Sequence, residues 1–178
     1  MALRPFRELK VGLLVSLLLL AGCQTRAPLM SPAGLEPVLV KGRLSVTGLS
    51  INPNFSLEQV DAAQQRLNIS GAFGLGAIEV LYFKGTVQRG LVDQIEMNRK
   101  ALQAAFFDAT GLDVPLSVVP AWMLGQPHSR YRSQRTATGF EQLGWRIAVS
   151  QDDALGRPRR IEAVKGETKV ILGIKLWQ

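Results

Sequence analysis

Residues 66–82 read Arg66-Leu67-Asn68-Ile69-Ser70-Gly71-Ala72-Phe73-Gly74-Leu75-Gly76-Ala77-Ile78-Glu79-Val80-Leu81-Tyr82. Leu67 and Ile69 alternate with Arg66, Asn68 and Ser70, and Ile78, Val80 and Tyr82 alternate with Ala77 and Glu79. A period of two sends successive side chains to opposite faces, so each half predicts a strand with one buried face. The glycine-rich stretch between them is too long for a tight two-residue hairpin. Phe73 and Leu75 stand there among glycines that offer no side chains to bury them. Either they tuck back over the end of the sheet, or they form an exposed apolar tip kept for contact with a partner or a membrane.

The same period extends in both directions. Leu44 and Val46 oppose Arg43 and Ser45, Asn52-Pro53-Asn54 reads as a turn, and Phe55 and Leu57 form the next same-face pair. Asp61-Ala62-Ala63-Gln64 is a connection, and residues 86–97 hold one or two further strands, broken near Gly90. Trp145, Ile147 and Val149 alternate with Arg146, Ala148 and Ser150, and 152–156 is a loop. Residues 159–164 and 169–177 flank the turn Lys165-Gly166-Glu167, with Val170, Leu172, Ile174 and Leu176 on one face.

Only the middle changes period. Ala101, Leu102, Ala105, Phe106 and Ala109 follow helical spacing, and Gly111 stops that helix. After Pro115, Ser117 can cap a second, short helix in which Val118/Trp122 and Val119/Met123 lie four apart, with Pro120 in its first turn and Gly125 and Pro127 ending it. Runs of strands with a helical insertion predict an α+β domain on an antiparallel sheet. The inward rows carry many large side chains, while the helical pieces are few and short. Such a sheet is either closed into a barrel or left with a ligand cavity.

Upstream, Arg4, Arg7 and Lys10 precede ten uncharged residues, 11–20, and then Ala21-Gly22-Cys23. A basic lead, a short apolar core and small residues make a secretory signal over 1–22. The apolar run is too short to span a bilayer, which takes roughly 20 residues. Leu20-Ala21-Gly22-Cys23 resembles the bacterial lipobox, which implies that Cys23 is acylated and becomes the first mature residue. Cys23 is the sole cysteine, so no disulfide can form within the chain. Pro28, Pro32 and Pro37 forbid a regular helix after it, so 23–40 reads as anchor and tether and 41–178 as the domain. Residues 1–22 hold three basic side chains and one acidic, so their removal lowers the chain's net charge from +7 to +5. For an exported protein that charge suits anionic lipid headgroups better than nucleic acid, or simply keeps the domain soluble.

Little in the sequence points to catalytic chemistry. His128 is the sole histidine and sits in a loop, where plain surface is its commonest role. With Cys23 acylated, no second His or Cys is available for a zinc site. There is no Gly-x-Ser-x-Gly elbow and no His-Glu-x-x-His helix. Asp152-Asp153 belongs to a polar loop, and Gly71, Gly74 and Gly76 lack dinucleotide spacing.

Several segments together resemble a known family. They are Lys41-Gly42-Arg43-Leu44, then Arg66-Leu67-Asn68-Ile69 leading into Phe73-Gly74 and Ile78-Glu79-Val80. Thr110-Gly111-Leu112-Asp113-Val114-Pro115-Leu116, Trp122-Met123-Leu124-Gly125-Gln126-Pro127, Trp145-Arg146-Ile147-Ala148-Val149 and the hairpin over 161–174 complete the set. In this order they resemble the LolB family of outer-membrane lipoproteins, which receive other lipoproteins from the periplasmic carrier LolA and insert them into the membrane. The paired Thr-Gly-x-x-x-Pro-Leu and Trp-x-Leu-Gly-x-Pro motifs are the most specific part.

The resemblance implies a strongly curved, unclosed antiparallel sheet, a half-barrel, with a short helical lid over an apolar cavity. It implies a protein that is not an enzyme, needs no cofactor or metal, and acts as a monomer at the periplasmic face of the outer membrane. Its partners would be a LolA-like carrier, acylated lipoprotein cargo and outer-membrane lipids. Gln24, rather than Asp, after the acylated cysteine is similar to outer-membrane sorting. Phe73 occupies the place of the family's exposed loop residue, usually Leu, which raises the membrane-tip reading for Phe73 and Leu75. The acyl-chain cavity is expected to be lined by Leu44, Val46, Phe55, Leu57, Leu67, Ile69, Ile78, Val80, Trp122, Trp145, Ile147, Val149, Leu172 and Ile174. Two features depart from the family: no amphipathic helix precedes the first strand, so the lid should be smaller and the cavity more open, and Gly71-Ala72-Phe73-Gly74 replaces the frequent Asn-Pro-Leu-Gly. The alternative is an assembly or scaffold lipoprotein of the outer membrane with a closed core and no part in lipid transfer.

Overall fold

A computed structural model of the chain describes residues 39–48, 52–71, 76–151 and 156–178. The signal segment, Cys23, the tether over 24–38, the loop residues Phe73 and Leu75, and 152–155 lie outside the described residues.

The period-two segments form strands. These are β1 (Leu39–Val46), β2 (Asn54–Gln59), β3 (Gln64–Ser70), β4 (Ile78–Phe83), β5 (Thr86–Val92) and β6 (Ile95–Glu96). After the helical insertion come β7 (Ser133–Arg135), β8 (Gly139–Gln142), β9 (Trp145–Gln151), β10 (Pro158–Lys165) and β11 (Thr168–Trp177). The insertion holds α1 (Arg99–Thr110), a 3-10 turn (Leu116–Val118) and α2 (Val119–Met123). All the strands join one antiparallel sheet in the order β6-β5-β4-β3-β2-β1-β11-β10-β9-β8-β7. The sheet is curled and unclosed, with β6 and β7 as its two margins.

Register turns the separate alternations into one apolar face. Val40 lies opposite Leu57, Leu57 opposite Leu67, and Leu67 opposite Val80. On the other side Leu44 pairs with Leu172, Leu172 with Ile161, and Ile161 with Val149. Shifting any strand by one residue would turn its apolar set outward, so this row fixes the register. Tight turns hold it. Lys84-Gly85, Asp93-Gln94 and Leu143-Gly144 each join two paired strands, with positive φ at both residues. That geometry matches the twist of the strands it connects.

Three details differ from the expected pattern. Residues 86–97 break at Asp93-Gln94, while Gly90 stays inside β5. A Cβ on Gly90 would collide with the side chain of Leu102, so the glycine there admits α1. Leu176 leaves the row expected for it. Lys41 pairs with Leu176 but Gly42 with Ile174, and this bulge flips the parity, so Trp177, opposite Val40, packs against the core instead. Ser117 does not cap the short helix, since it lies within the 3-10 turn and no side chain caps either piece.

Topology dictates where the helices go. The chain leaves the sheet at one margin, β6, and re-enters at the other, β7, so the segment between must pass over the opening. Leu102, Phe106, Leu112, Val118, Trp122 and Met123 from this segment share one buried cluster with the inward row of the sheet.

Candidate functional site

The candidate site is the contact between this helical cover and the concave face. Each part of the cover is held by its ends. The Asn98 side chain accepts from Ala101 N at 2.9 Å and caps α1. Gly111, at φ 66°, closes α1 with its N–H on the Phe107 carbonyl. Thr110, fully buried, donates to the Phe106 carbonyl and accepts from Leu112 N, which turns the chain into the cover.

Three polar side chains fasten the cover. Gln103 Nε2 donates to the Val114 carbonyl at 2.8 Å, and its Oε1 accepts from Leu116 N at 3.3 Å. Tyr82 Oη, from β4, donates to the Leu116 carbonyl at 3.1 Å. Burial pushes the Tyr82 hydroxyl far above its usual pKa, so it stays a neutral donor. Gln142, on β8, accepts from Trp122 Nε1 at 2.8 Å and also binds the backbone of His128 and Tyr131.

Beneath the cover, an apolar void remains between the segment 112–123 and strands β9 to β11. Leu112, Val119, Trp122 and Met123 bound it from above, and Ile147, Ile161, Ala163 and Leu172 from below. Its volume is about 20 Å³, the space of roughly one water-sized sphere. Ligand pockets usually run to roughly 300–1,000 Å³. Leu102, Phe106, Val118 and Trp122 of the cover are buried in one cluster with the inward residues of the sheet.

Thirteen of the fourteen residues expected to line a cavity are buried in the single core cluster: Leu44, Val46, Phe55, Leu57, Leu67, Ile69, Ile78, Val80, Trp122, Trp145, Ile147, Leu172 and Ile174. The other, Val149, is partly buried against it. Trp122, Ile147 and Leu172 also border the void. Sequence reading did not select Leu112, Val119, Met123, Ile161 or Ala163 for this role. The four-apart pair Val119/Met123 was the available signal for two of them. Among the described residues the buried Trp145 Nε1 has no hydrogen-bond partner, while the Lys165 ammonium lies 5.8 Å from the centre of its ring.

The remaining chemistry is peripheral. His128 Nδ1 accepts from Arg130 N at 3.2 Å, and its ring leans on Tyr131 with centroids 5.6 Å apart. Burial, and then the charge of Arg130, hold the imidazole below its usual pKa. Among the described residues no group of three or more His, Cys, Asp or Glu is placed to hold a metal ion. Nor is any helix among them long and apolar enough to cross a membrane.

Comparison with known families places the chain alongside a described family. A family model described as outer membrane lipoprotein LolB covers residues 39–177, from the first strand to the last. No curated protein sequence matches the chain.

Proposed function

The chain belongs to the LolB family of outer-membrane lipoproteins, which act in lipoprotein localisation, and from that premise we propose that it accepts acylated lipoproteins from a LolA-like carrier and inserts them into the outer membrane. The observation that carries the reading is the wholly apolar void between α2 and strands β9 to β11. Acyl chains enter there by spreading the cover from the sheet, and Trp122, Ile147 and Leu172 are the first side chains they meet. Each CH₂ withdrawn from water contributes about 0.8 kcal/mol, which offsets the cover contacts that the chain displaces. The other inward residues, from Leu44 to Ile174, line the space as it widens. No covalent step is required, and transfer runs toward stronger apolar burial.

The anchor in this reading is acylated Cys23 at the periplasmic face of the membrane, and the protein acts as a monomer. Phe73, with Leu75, disturbs the bilayer as the chains are released. The test is transfer of a labelled lipoprotein from carrier to vesicles. Phe73→Glu should fold and bind the carrier normally yet fail to insert cargo. Unfolding of that variant, or unimpaired insertion by it, would contradict the assignment.

The small size of the void favours a second reading, a scaffold lipoprotein whose core stays shut. A hydrophobic fluorescent probe separates the two. The receptor binds the probe and releases it to fatty acid, and the scaffold binds none.

A further inference from the structure

A separate concavity of about 200 Å³ lies where the open sheet fails to close. Its wall draws on both sides of that gap. Thr86 begins β5, on a stretch beyond the reach of β6, which pairs only with Leu91 and Val92. Arg130 and Tyr131 lie just ahead of β7, the opposite margin. Arg99, from the first turn of α1, and Ser117, from the cover, complete the polar lining apart from Gln103, whose amide is already engaged.

The lining is one-sided in charge. Two arginines line the pocket and no acidic residue does. Neither the Arg99 nor the Arg130 side chain has an ion pair or hydrogen bond among the described residues, whereas Arg66, Arg89, Arg146 and Arg160 each meet a glutamate. The charge of Arg130 also helps to depress the His128 pKa. The hydroxyls of Thr86, Ser117 and Tyr131 add donors without adding negative charge.

We propose that this pocket is an anion site for a phosphate ester, carried on a lipid headgroup or free in solution. A guanidinium fork fits phosphate oxygens in a bidentate manner. The tetrahedral group can engage both forks and the hydroxyls together, while a planar carboxylate is used up by one fork. A phosphate here touches α1, the cover and the approach to β7 at once. This site is independent of acyl-chain binding and stands or falls separately.

The test titrates the full chain, in non-ionic detergent at fixed ionic strength, with sodium phosphate, with glycerol 3-phosphate, and with micelles doped with short-chain phosphatidylglycerol. Amide chemical shifts are the readout. Saturable shifts are expected at Ser117, Arg130 and Tyr131. The double variant R99Q/R130Q should lose at least ten-fold in affinity. R132Q/R135Q, which removes the same charge from exposed positions outside the pocket, should change it less than two-fold. Saturation by sodium phosphate or glycerol 3-phosphate identifies a free phosphate group as a ligand, and saturation by the doped micelles alone identifies the headgroup. No saturable shift with any of the three probes, or equal losses in both variants, overturns the proposal.

Discussion

Trp122 Nε1 donates a 2.8 Å hydrogen bond to Oε1 of Gln142, and this bond joins the short helix over the concavity to a strand beside the sheet margin. Gln142 is only 2% exposed. Its carboxamide also accepts from His128 N at 2.9 Å and donates to the carbonyls of His128 and Tyr131, at 2.9 and 2.8 Å. A single side chain therefore fixes both α2 and the chain's return to the sheet.

Gln142→Leu keeps the volume close to native and removes all four bonds. Each stranded buried polar group costs roughly 1–3 kcal/mol, and the bonds at His128 are only partly buried. A net loss of about 2–4 kcal/mol is expected, measured by urea unfolding. A loss below about 0.5 kcal/mol would show that the hub does not hold the cover.

The two tryptophans should respond differently to replacement by phenylalanine. Trp122→Phe discards a made hydrogen bond and leaves Gln142 Oε1 short of a donor. Trp145→Phe discards an N–H that has no partner among the described residues. Trp145→Phe should be the milder change by about 1 kcal/mol in unfolding free energy. The reverse order would mean that the Trp145 N–H is satisfied.

Gly42 and Gly90 are both spaces that a side chain would invade, but the obstacles differ. At Gly42 a Cβ meets the Gly173 carbonyl and, at 2.7 Å, the Phe55 ring, whereas at Gly90 its three nearest atoms all belong to the Leu102 side chain. Overpacking costs roughly 1–3 kcal/mol, and backbone yields less than a side-chain tip. Gly42→Ala should destabilise more than Gly90→Ala. Adding Leu102→Ala should relieve the strain of Gly90→Ala and not that of Gly42→Ala, as a double-mutant cycle will show.

Acidification should weaken the fold slightly through His128. Its folded pKa is depressed, so the unfolded chain takes up the proton first as pH falls. The contribution is intact above the ordinary histidine pKa, about 6.5. It is lost as pH drops through the lower folded value. NMR titration should give a midpoint below the usual range, and His128→Gln should flatten the fall in thermal midpoint between pH 7 and 5. A normal or raised midpoint would contradict this.

The central strands were legible because their alternation is unbroken and each partner repeats it, as at Leu57, Leu67 and Val80. The hairpin of β7 and β8 was not, for two physical reasons. Every residue of β7 is exposed, and the inward row of β8 ends in polar Gln142, so no apolar period appears. The bulge that displaces Leu176 changes parity without any local residue signal. The helix stop at Gly111 was readable from its left-handed requirement. The members of the void contributed by β10, Ile161 and Ala163, depend on how the cover settles across the sheet, which periodicity does not encode.

The most direct measurement places a spin label on the acyl chain of a cargo lipoprotein and delivers it by carrier to the protein in nanodiscs. Methyl signals of Ile147, Ile161 and Leu172 should broaden strongly, ahead of exposed methyls such as those of Ile95. If these three stay sharp while cargo still reaches the bilayer, the chains travel elsewhere and the interior is only a core.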